Sequence, residues 1–221
     1  LDEETPSEFF YALRKCGALD ILLPELGQLF GRPQKPTHHP EIDTGVHTMM
    51  VIDASAGLGS NNRVRFAALT HDLGKGTTPA DELPRHIAHE ARGLGLIDAL
   101  SDRLRVPTEH RRLAKLVCEF HTHCHRAAEL RASTMLKLLE AIDAFRKPER
   151  LDDFLTACKA DAMGRSGFEE APYPQSDIIN TCYQAAAKAD ISDLVKAGAR
   201  GQEIQETLKQ RRKKAIAAAL E

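Results

Sequence analysis

Apolar residues recur every three or four positions through most of the chain, and this period restricts the fold more than any other feature of the sequence. Leu113, Leu116, Val117 and Phe120, for example, have the spacing of one buried helical face. No segment shows the alternation that is typical of a β-strand. Tryptophan is absent and aromatic residues make up only 5% of the chain, so Leu, Ala, Ile and Val must fill the core, a balance that favours helices. We therefore predict an all-α fold.

Composition narrows the class of protein. The 221 residues are 42% apolar, which is enough for a core, and the formal net charge of −2 gives no global field for nucleic acid or membrane. No apolar run is long enough to span a bilayer, and no secretory signal is present. The cysteines form no CxxC pair, which is typical of a reducing compartment. We expect a cytoplasmic location without a membrane partner, and the first residue, Leu1, suggests a fragment or a processed product.

Loop and helix signals set the organisation along the chain. A Pro/Gly-rich connector covers residues 24–40, and helices are expected at about residues 62–72 and 85–103. After Gly164 the amino-acid composition changes, and we expect two or three Ala-rich helices in the last part of the chain. The last of them holds the basic run 209–214, which either contacts phosphates or forms a solvated face.

Three polar side chains fall on apolar helical faces. Asp161 extends the stripe that runs through residues 151–158, and His47 and His71 lie on the apolar stripes of two other helices. An unpaired carboxylate on an apolar face costs several kcal/mol, so Asp161 needs a partner, and a divalent cation is one of the best. The sequence therefore predicts one buried polar site where three helices meet.

Each of these residues also has an ordinary explanation. A buried histidine commonly hydrogen-bonds to the backbone, Asp161 can pair with Arg165 one turn on, and Asp72 can cap the next turn. Such explanations treat the residues singly and give no reason for the combination. The combination favours a metal site.

The arrangement of His47, the doublet His71-Asp72 and the distant Asp161 resembles the HD-domain superfamily of metal-dependent phosphohydrolases. In that pattern a His lies on one helix, a His-Asp doublet ends the next, and an Asp lies on a later helix. The stretch "HDLGK" is a common form of the doublet and its surroundings. The resemblance implies an HD-domain helical bundle that holds a divalent metal ion, with nickel, magnesium or manganese as the candidates.

A closer resemblance covers nearly the whole chain. The C-terminal portion of the bacterial multifunctional CCA-adding tRNA nucleotidyltransferases is similar to the segments "HPEIDTGVHTMMV", "RFAALTHDLGKGTTP", "PRHIAHE", "LRVPTEHRRLAKLVCEFHTHCHRA" and "FRKPERLDDFL…ADAMGR". It implies a helical connector over residues 1–35, an HD domain over residues 36–165 and a helical C-terminal tail over residues 166–221. The Gly-rich loop and paired carboxylates of the nucleotidyltransferase head do not occur, so we expect hydrolysis rather than CCA addition.

The resemblance also implies an activity and its residues. The activities are those of a 2′,3′-cyclic phosphodiesterase, a 2′-nucleotidase and a phosphatase, with tRNA or 2′,3′-cyclic and 2′-nucleotides as substrates. The implied metal ligands are His47, His71, Asp72 and Asp161, and Asp72 also helps to orient the attacking water. Lys75 either binds the phosphate as a point charge or is a solvated lysine in a Gly-flanked turn.

Five further residues are candidates for the site. His86 and His89 lie three apart in "PRHIAHE", and His121 continues an apolar stripe inward. They are second-metal ligands, substrate contacts or ordinary polar residues. Arg85 and Arg126 are candidate contacts for phosphate or RNA.

Two hypotheses are alternatives to an active phosphohydrolase domain of a tRNA-maturation enzyme. One is a non-catalytic module that positions tRNA or holds a homodimer around a structural metal. The other is a free-standing HD nucleotidase. The sequence leaves the oligomeric state open.

Overall fold

The computed structural model describes residues 1–37 and 39–221 of the chain, apart from the side chain of residue 195. These residues form helices and loops, and the β-pairing found among them is one antiparallel bridge between Pro33 and Asp43. The all-α prediction is therefore confirmed. No helix in the described part of the chain is both long enough and apolar enough to cross a bilayer. The α-helices are α1 (Ser7–Lys15), α2 (Leu19–Leu22), α3 (Pro24–Gly27), α4 (Thr44–Gly57), α5 (Asn62–Thr70), α6 (His89–Leu104), α7 (Thr108–His125), α8 (Ala132–Ile142), α9 (Glu149–Met163), α10 (Gln175–Ala187), α11 (Ser192–Lys196) and α12 (Gln202–Ala219).

The chain divides into two compact units, each assembled from two segments. Unit 1 consists of Leu1–Thr122 and Asp152–Pro172, and unit 2 consists of His123–Leu151 and Tyr173–Glu221. The division into a connector, an HD domain and a tail at residues 35 and 165 stays a prediction.

Helix α4 lies deep inside unit 1, packed against α5. Val51, Ala68 and Ala160 form a buried apolar cluster, and Ala54 and Leu58 pack against it. The stripe that begins at His47 is therefore a core face, as its spacing predicts. Burial of α4 is wider than one stripe, however, because further residues on its other sides are also buried, namely Thr44, Gly45, Thr48, Met49, Ile52, Ser55 and Ala56.

Two helix boundaries near the His-Asp doublet differ from the sequence-based ones. Helix α5 ends at Thr70 rather than at Asp72, and a 3-10 helix, Leu73–Thr77, follows directly. Helix α6 begins at His89 rather than at residue 85, because Ala88 has a left-handed backbone with φ 55° that cannot continue a helix. The segment after α5 and the segment before α6, which both carry candidate site residues, are therefore not α-helical.

The 3-10 helix packs closely against the start of α6 because Gly74 has no side chain. A Cβ atom at Gly74 would lie 1.9 Å from the carbonyl oxygen of His89 and 2.7 Å from the amide nitrogen of Gly93. Glycine is therefore required where the backbone after the doublet meets α6.

In unit 2, α8, α10 and α12 pack against one another. Leu138, Leu139, Ile179, Cys182 and Ile216 are among its fully buried side chains. This hydrophobic burial gives unit 2 a core of its own.

Part of the basic run of α12 is engaged within unit 2. Arg211 forms an ion pair with Asp193 at 2.6 Å, and the guanidinium of Arg212 lies 3.6 Å from the ring centroid of Phe145. These two cations are therefore not simply solvated.

Candidate metal centre

The four side chains predicted to hold a metal lie together in unit 1. His47 comes from α4, His71 is the C-terminal capping residue of α5, Asp72 follows it, and Asp161 comes from α9. All four are buried, with 0%, 1%, 1% and 3% of their surfaces exposed. Three helices thus deliver imidazole and carboxylate groups to one interior point.

The nitrogen and oxygen atoms of this group have the spacing of ligands that share an ion. Nε2 of His47 lies 3.0 Å from Oδ1 of Asp161, and Nε2 of His71 lies 3.7 Å from the same oxygen. Nε2 of His71 is also 3.1 Å from Oδ2 of Asp72. Adjacent ligands bound at about 2.1 Å to an octahedral ion are about 3.0 Å apart. His47, His71 and Asp161 accordingly form one group able to hold a metal.

A second group lies on the other oxygen of Asp72. Oδ1 of Asp72 is 3.3 Å from Nε2 of His89 and 3.6 Å from Nε2 of His121. His89 is the first residue of α6, and His121 lies in α7 with 3% of its surface exposed. The carboxylate of Asp72 therefore faces both groups, with one oxygen toward each.

Backbone carbonyl groups fix the orientation of these imidazole rings. Nδ1 of His71 lies 2.7 Å from the Ala68 carbonyl oxygen, and Nδ1 of His89 lies 2.9 Å from the His86 carbonyl oxygen. The Nδ1 atom of His121 is 3.0 Å from the Val117 carbonyl oxygen. A carbonyl oxygen can only accept, so each Nδ1 carries a proton, and the Nε2 lone pair of a neutral ring is left to bind a metal.

The donor set fits a divalent metal ion. Among the described residues, Nε2 of His71, Oδ1 of Asp72 and Nε2 of His89 are buried atoms without a hydrogen-bond partner. Buried polar atoms are normally satisfied, and unsatisfied ones mark a missing ion or a functional site. Imidazole and carboxylate ligands without thiolate suit divalent metal ions.

The charges inside the first group are strongly coupled. Burial disfavours the charged form of His71, but the carboxylates of Asp72 and Asp161 outweigh it and raise the pKa of the imidazole to about 9. Burial likewise opposes ionisation of Asp72, but His71 and Lys75 hold the pKa of its carboxyl well below the usual range. A metal ion that binds here must therefore replace the proton on Nε2 of His71.

Lys75 is buried beside Asp72 rather than solvated. It lies in the 3-10 helix Leu73–Thr77 and is only 7% exposed. Its Nζ atom is 2.6 Å from Oδ2 of Asp72 and 2.6 Å from Oε1 of Gln34. The ammonium group thus faces the carboxylate that joins the two histidine groups.

The remaining predicted residues do not join either group. Both ring nitrogens of His86 are engaged elsewhere, Nδ1 with Oγ1 of Thr78 at 2.7 Å and Nε2 with the Pro33 carbonyl oxygen at 3.0 Å. Arg85 is exposed. Arg126 belongs to unit 2, where it is exposed and pairs with Glu129 at 2.6 Å.

The connector before α4 brings residues to the site that the helical pattern does not reveal. Nδ1 of His39 and Nδ1 of His47 each lie 3.0 Å from Oε1 of Glu41, and Gln34 contacts Lys75. The one available signal was the polar motif "HPEID" just before the helix that carries His47. Its position in a Pro-rich connector hides the contact, because such a segment has no period from which its path can be read.

The surroundings of His39 and Glu41 determine their protonation. Burial and the nearby Lys75 ammonium lower the pKa of His39 to about 3, so its ring is neutral. Burial opposes ionisation of Glu41, but its hydrogen bond with His47 and a backbone hydrogen bond outweigh this and lower the pKa of the carboxyl to about 2. Glu41 is therefore a carboxylate at neutral pH.

Arg92 of α6 is a further residue that the sequence pattern did not indicate. Its Nε donates to the carbonyl oxygen of Gly74 at 3.2 Å, and its Nη2 donates to Oγ1 of Thr78 at 2.9 Å. Arg92 thereby ties the 3-10 helix that carries Lys75 to the helix that carries His89.

Comparison with known proteins relates the sequence of the chain to a known family. A family model described as "HD domain" matches residues 44–152, a span that includes His47, the doublet, His89 and His121 and ends before Asp161. The chain is also similar to curated relatives called Multifunctional CCA protein. It is 53% identical to that of Thioalkalivibrio sulfidiphilus over 98% of this chain and 53% of the relative. It is 55% identical to that of Nitrosospira multiformis over 90% and 48%, and 50% identical to that of Pseudomonas fluorescens over 99% and 53%.

The chain spans about half the length of the curated relatives it matches. All three of these relatives are 50–55% identical to the chain over at least 90% of its length. The chain therefore contains an HD domain over residues 44–152, and nearly its whole length is similar to about half of each Multifunctional CCA protein.

Proposed function

We propose that this chain is a metal-dependent phosphohydrolase that cleaves 2′,3′-cyclic phosphodiesters and removes 2′-phosphates and other phosphate monoesters from nucleotides or from tRNA ends. The observation that carries the proposal is the pair of buried histidine groups that share the Asp72 carboxylate. The name of the relatives supports tRNA as the physiological class of substrate.

The ligands divide between the two groups. In this proposal His47, His71, Asp72 and Asp161 hold one divalent ion, and Asp72, His89 and His121 hold a second. A bound divalent ion supplies positive charge to the phosphate and lowers the pKa of water beside it. The protons on Nδ1 keep the four rings in the ligand tautomer, and the carboxylate of Asp72 orients the attacking water.

Lys75 neutralises charge on the substrate. Two of the three N–H groups of its ammonium point to Asp72 and Gln34, and we assign the third to a phosphate oxygen. Phosphoryl transfer depends mainly on positioning and electrostatics, so a buried cation held beside the metal ligands suits the reaction.

A non-catalytic module that positions tRNA or holds a homodimer has less support. Burying two carboxylates and four imidazoles in one place costs free energy, and a purely structural role gives no reason for a second histidine group. A free-standing nucleotidase would use the same site, but the relatives extend well beyond the matched half.

The test is hydrolysis of 2′,3′-cyclic AMP by the purified chain. The chain is treated with chelator and then given nickel, manganese, magnesium or zinc one at a time, beside His71→Ala and Asp72→Ala. His110→Ala is the matched control, since His110 lies in unit 1 but in neither metal group. We expect metal-dependent turnover that is lost in the first two variants and kept in the control. A folded chain that shows no turnover with any of the four ions would reject the proposal in favour of the non-catalytic module.

A further inference from the structure

Glu41 lies directly behind a proposed metal ligand. Its side chain is 2% exposed, and its Oε1 atom is 3.0 Å from Nδ1 of His47. The other carboxylate oxygen, Oε2, accepts a hydrogen bond from the amide of Ser166 at 3.4 Å. The carboxylate is therefore held on the side of the His47 ring that is opposite the metal group.

The surroundings of Nδ1 determine what His47 can do. Nδ1 lies 3.0 Å from the Gly164 carbonyl oxygen as well as from Glu41, and both neighbours are acceptors. Nδ1 must therefore carry a proton that these two oxygens share. Nε2 then faces Oδ1 of Asp161 at 3.0 Å with the lone pair that a metal ion requires.

These contacts also argue against a separate metal at Glu41. His39, Glu41 and His47 are close enough to form a third group of potential ligands. An ion bound there through Nδ1 of His47 would displace the proton that is hydrogen-bonded to the Gly164 carbonyl oxygen. The proton of the neutral ring would then lie on Nε2, which could no longer bind the ion of the first metal group. An orienting role for Glu41 satisfies all the observed contacts at once.

We propose that Glu41 is a positioning residue for His47. Its carboxylate holds the proton on Nδ1 and fixes the imidazole so that Nε2 is aimed at the ion shared with His71 and Asp161. This inference rests on the proposed function, which makes His47 a metal ligand. Carboxylates that accept from a ligating histidine typically raise metal affinity 10–100-fold, and Glu41 should do the same.

The test is a double-mutant cycle on manganese affinity. Binding is measured on the full chain at one fixed pH, from the electron paramagnetic resonance signal of free Mn²⁺, for the parent, Glu41→Gln, His47→Ala and the double variant. The data are fitted with two sites, and the dissociation constant compared is that of the site lost in His47→Ala. Asp53→Asn is the matched control, because Asp53 is also a partly buried carboxylate in unit 1, lies on α4 with His47 and binds Ser7 instead of a histidine.

We expect Glu41→Gln to weaken manganese binding about 10–100-fold. The same change in the His47→Ala background should have little further effect, since the residue acts through His47. Asp53→Asn should bind as the parent does. Circular dichroism checks that each variant is folded.

Two results would overturn the inference. One is a folded Glu41→Gln chain with the parent's affinity, and the other is an equal loss in both backgrounds, which would indicate a direct ligand or a general structural role. Failure of the proposed function gives a different result. A parent chain that binds manganese but hydrolyses cyclic phosphate with none of the four ions rejects that function, while the cycle still decides the role of Glu41. A parent chain that binds no manganese overturns the inference about Glu41, and the proposed function falls with it only if none of the four ions supports turnover.

Discussion

At the scale of single residues, Asp72 is the centre of the site. Its two carboxylate oxygens face different histidine groups, and Lys75 contacts one of them. Such a bridging carboxylate influences both groups at once. Changes at Asp72 should therefore cost more than changes at any one histidine.

Asp72→Asn tests this role with almost no change of shape. The amide removes the negative charge that faces both groups, and we expect the rate of 2′,3′-cyclic AMP hydrolysis to fall by at least about 100-fold at saturating manganese. Asp98→Asn is the control, since Asp98 is a carboxylate of unit 1 that pairs with Arg111 and Lys115 instead. An Asp72→Asn chain with more than a tenth of the parent rate would contradict the assignment.

The buried histidines predict how the stability of the metal-free chain depends on pH. The pKa of His71 is raised from 6.5 to about 9, so its contribution is complete below pH 6.5 and is lost as pH rises toward 9. Burial lowers the pKa of His121 to about 3 and that of His86 to about 4. Their contribution to stability is complete above pH 6.5 and is lost as pH falls, because these rings are protonated in the unfolded chain but stay neutral in the folded one.

We therefore expect the melting temperature of the chelator-treated chain to be highest near pH 6.5. Calorimetry between about pH 5 and 9.5 measures it, with His71→Asn as the variant that removes the raised pKa. The alkaline decline should flatten in that variant and the acid decline should persist. A decline between pH 6.5 and 9 that is the same in His71→Asn would show that another group causes it.

His47, His71 and Asp161 could be proposed from the sequence because each one lies on an apolar helical stripe, whereas Asp72 was proposed from the resemblance to HD domains. Asp161, for example, follows a buried stripe at helical spacing, where a carboxylate has no place without a partner. Glu41 and Gln34 could not be named this way, since they lie in a connector without a period. Their contacts depend on how the chain folds back onto α4, and this is a tertiary property.

At the scale of elements, the site depends on the close packing of the 3-10 helix Leu73–Thr77 against α6. This contact sets the distance between Asp72 and His89. The sequence predicted a helix that runs to Asp72 and another that begins at residue 85. Both ends were wrong by a few residues because the tertiary contact at Gly74 and the left-handed Ala88 overrule local helix propensity.

Gly74→Ala tests that packing. The added Cβ would meet the His89 carbonyl oxygen, so the two segments must separate, and we expect a loss of about 1–3 kcal/mol in the free energy of unfolding in urea. Gly95→Ala is the control in the same helix α6, where a Cβ meets nothing within 4 Å. That change should instead stabilise the chain by up to about 1 kcal/mol. Equal effects of the two substitutions would contradict the packing argument.

At the scale of the whole molecule, the metal groups lie in unit 1, whereas unit 2 has a separate apolar core. The helical class of both units followed from the 3.6-residue period of the apolar residues. The division into units could not be derived in the same way, because each unit combines two segments that are distant in the sequence.

Because a bound ion stabilises only the folded chain, manganese should raise the melting temperature. Each bound ion should add about 2.7 kcal/mol to the free energy of unfolding at a free ion concentration of 100 times its dissociation constant. Differential scanning calorimetry of the chelator-treated chain with and without manganese measures it. The gain should largely disappear in Asp72→Asn and should be kept in Asp98→Asn. An equal gain in Asp72→Asn would place the binding elsewhere.

The central claim is that buried histidine and aspartate side chains hold divalent ions. It is tested most directly by crystals of the chain grown with manganese, measured near the manganese absorption edge. We predict one anomalous peak among His47, His71, Asp72 and Asp161 and a second among Asp72, His89 and His121. Anomalous peaks only at other places, or none at all at a concentration that supports hydrolysis, would contradict the account.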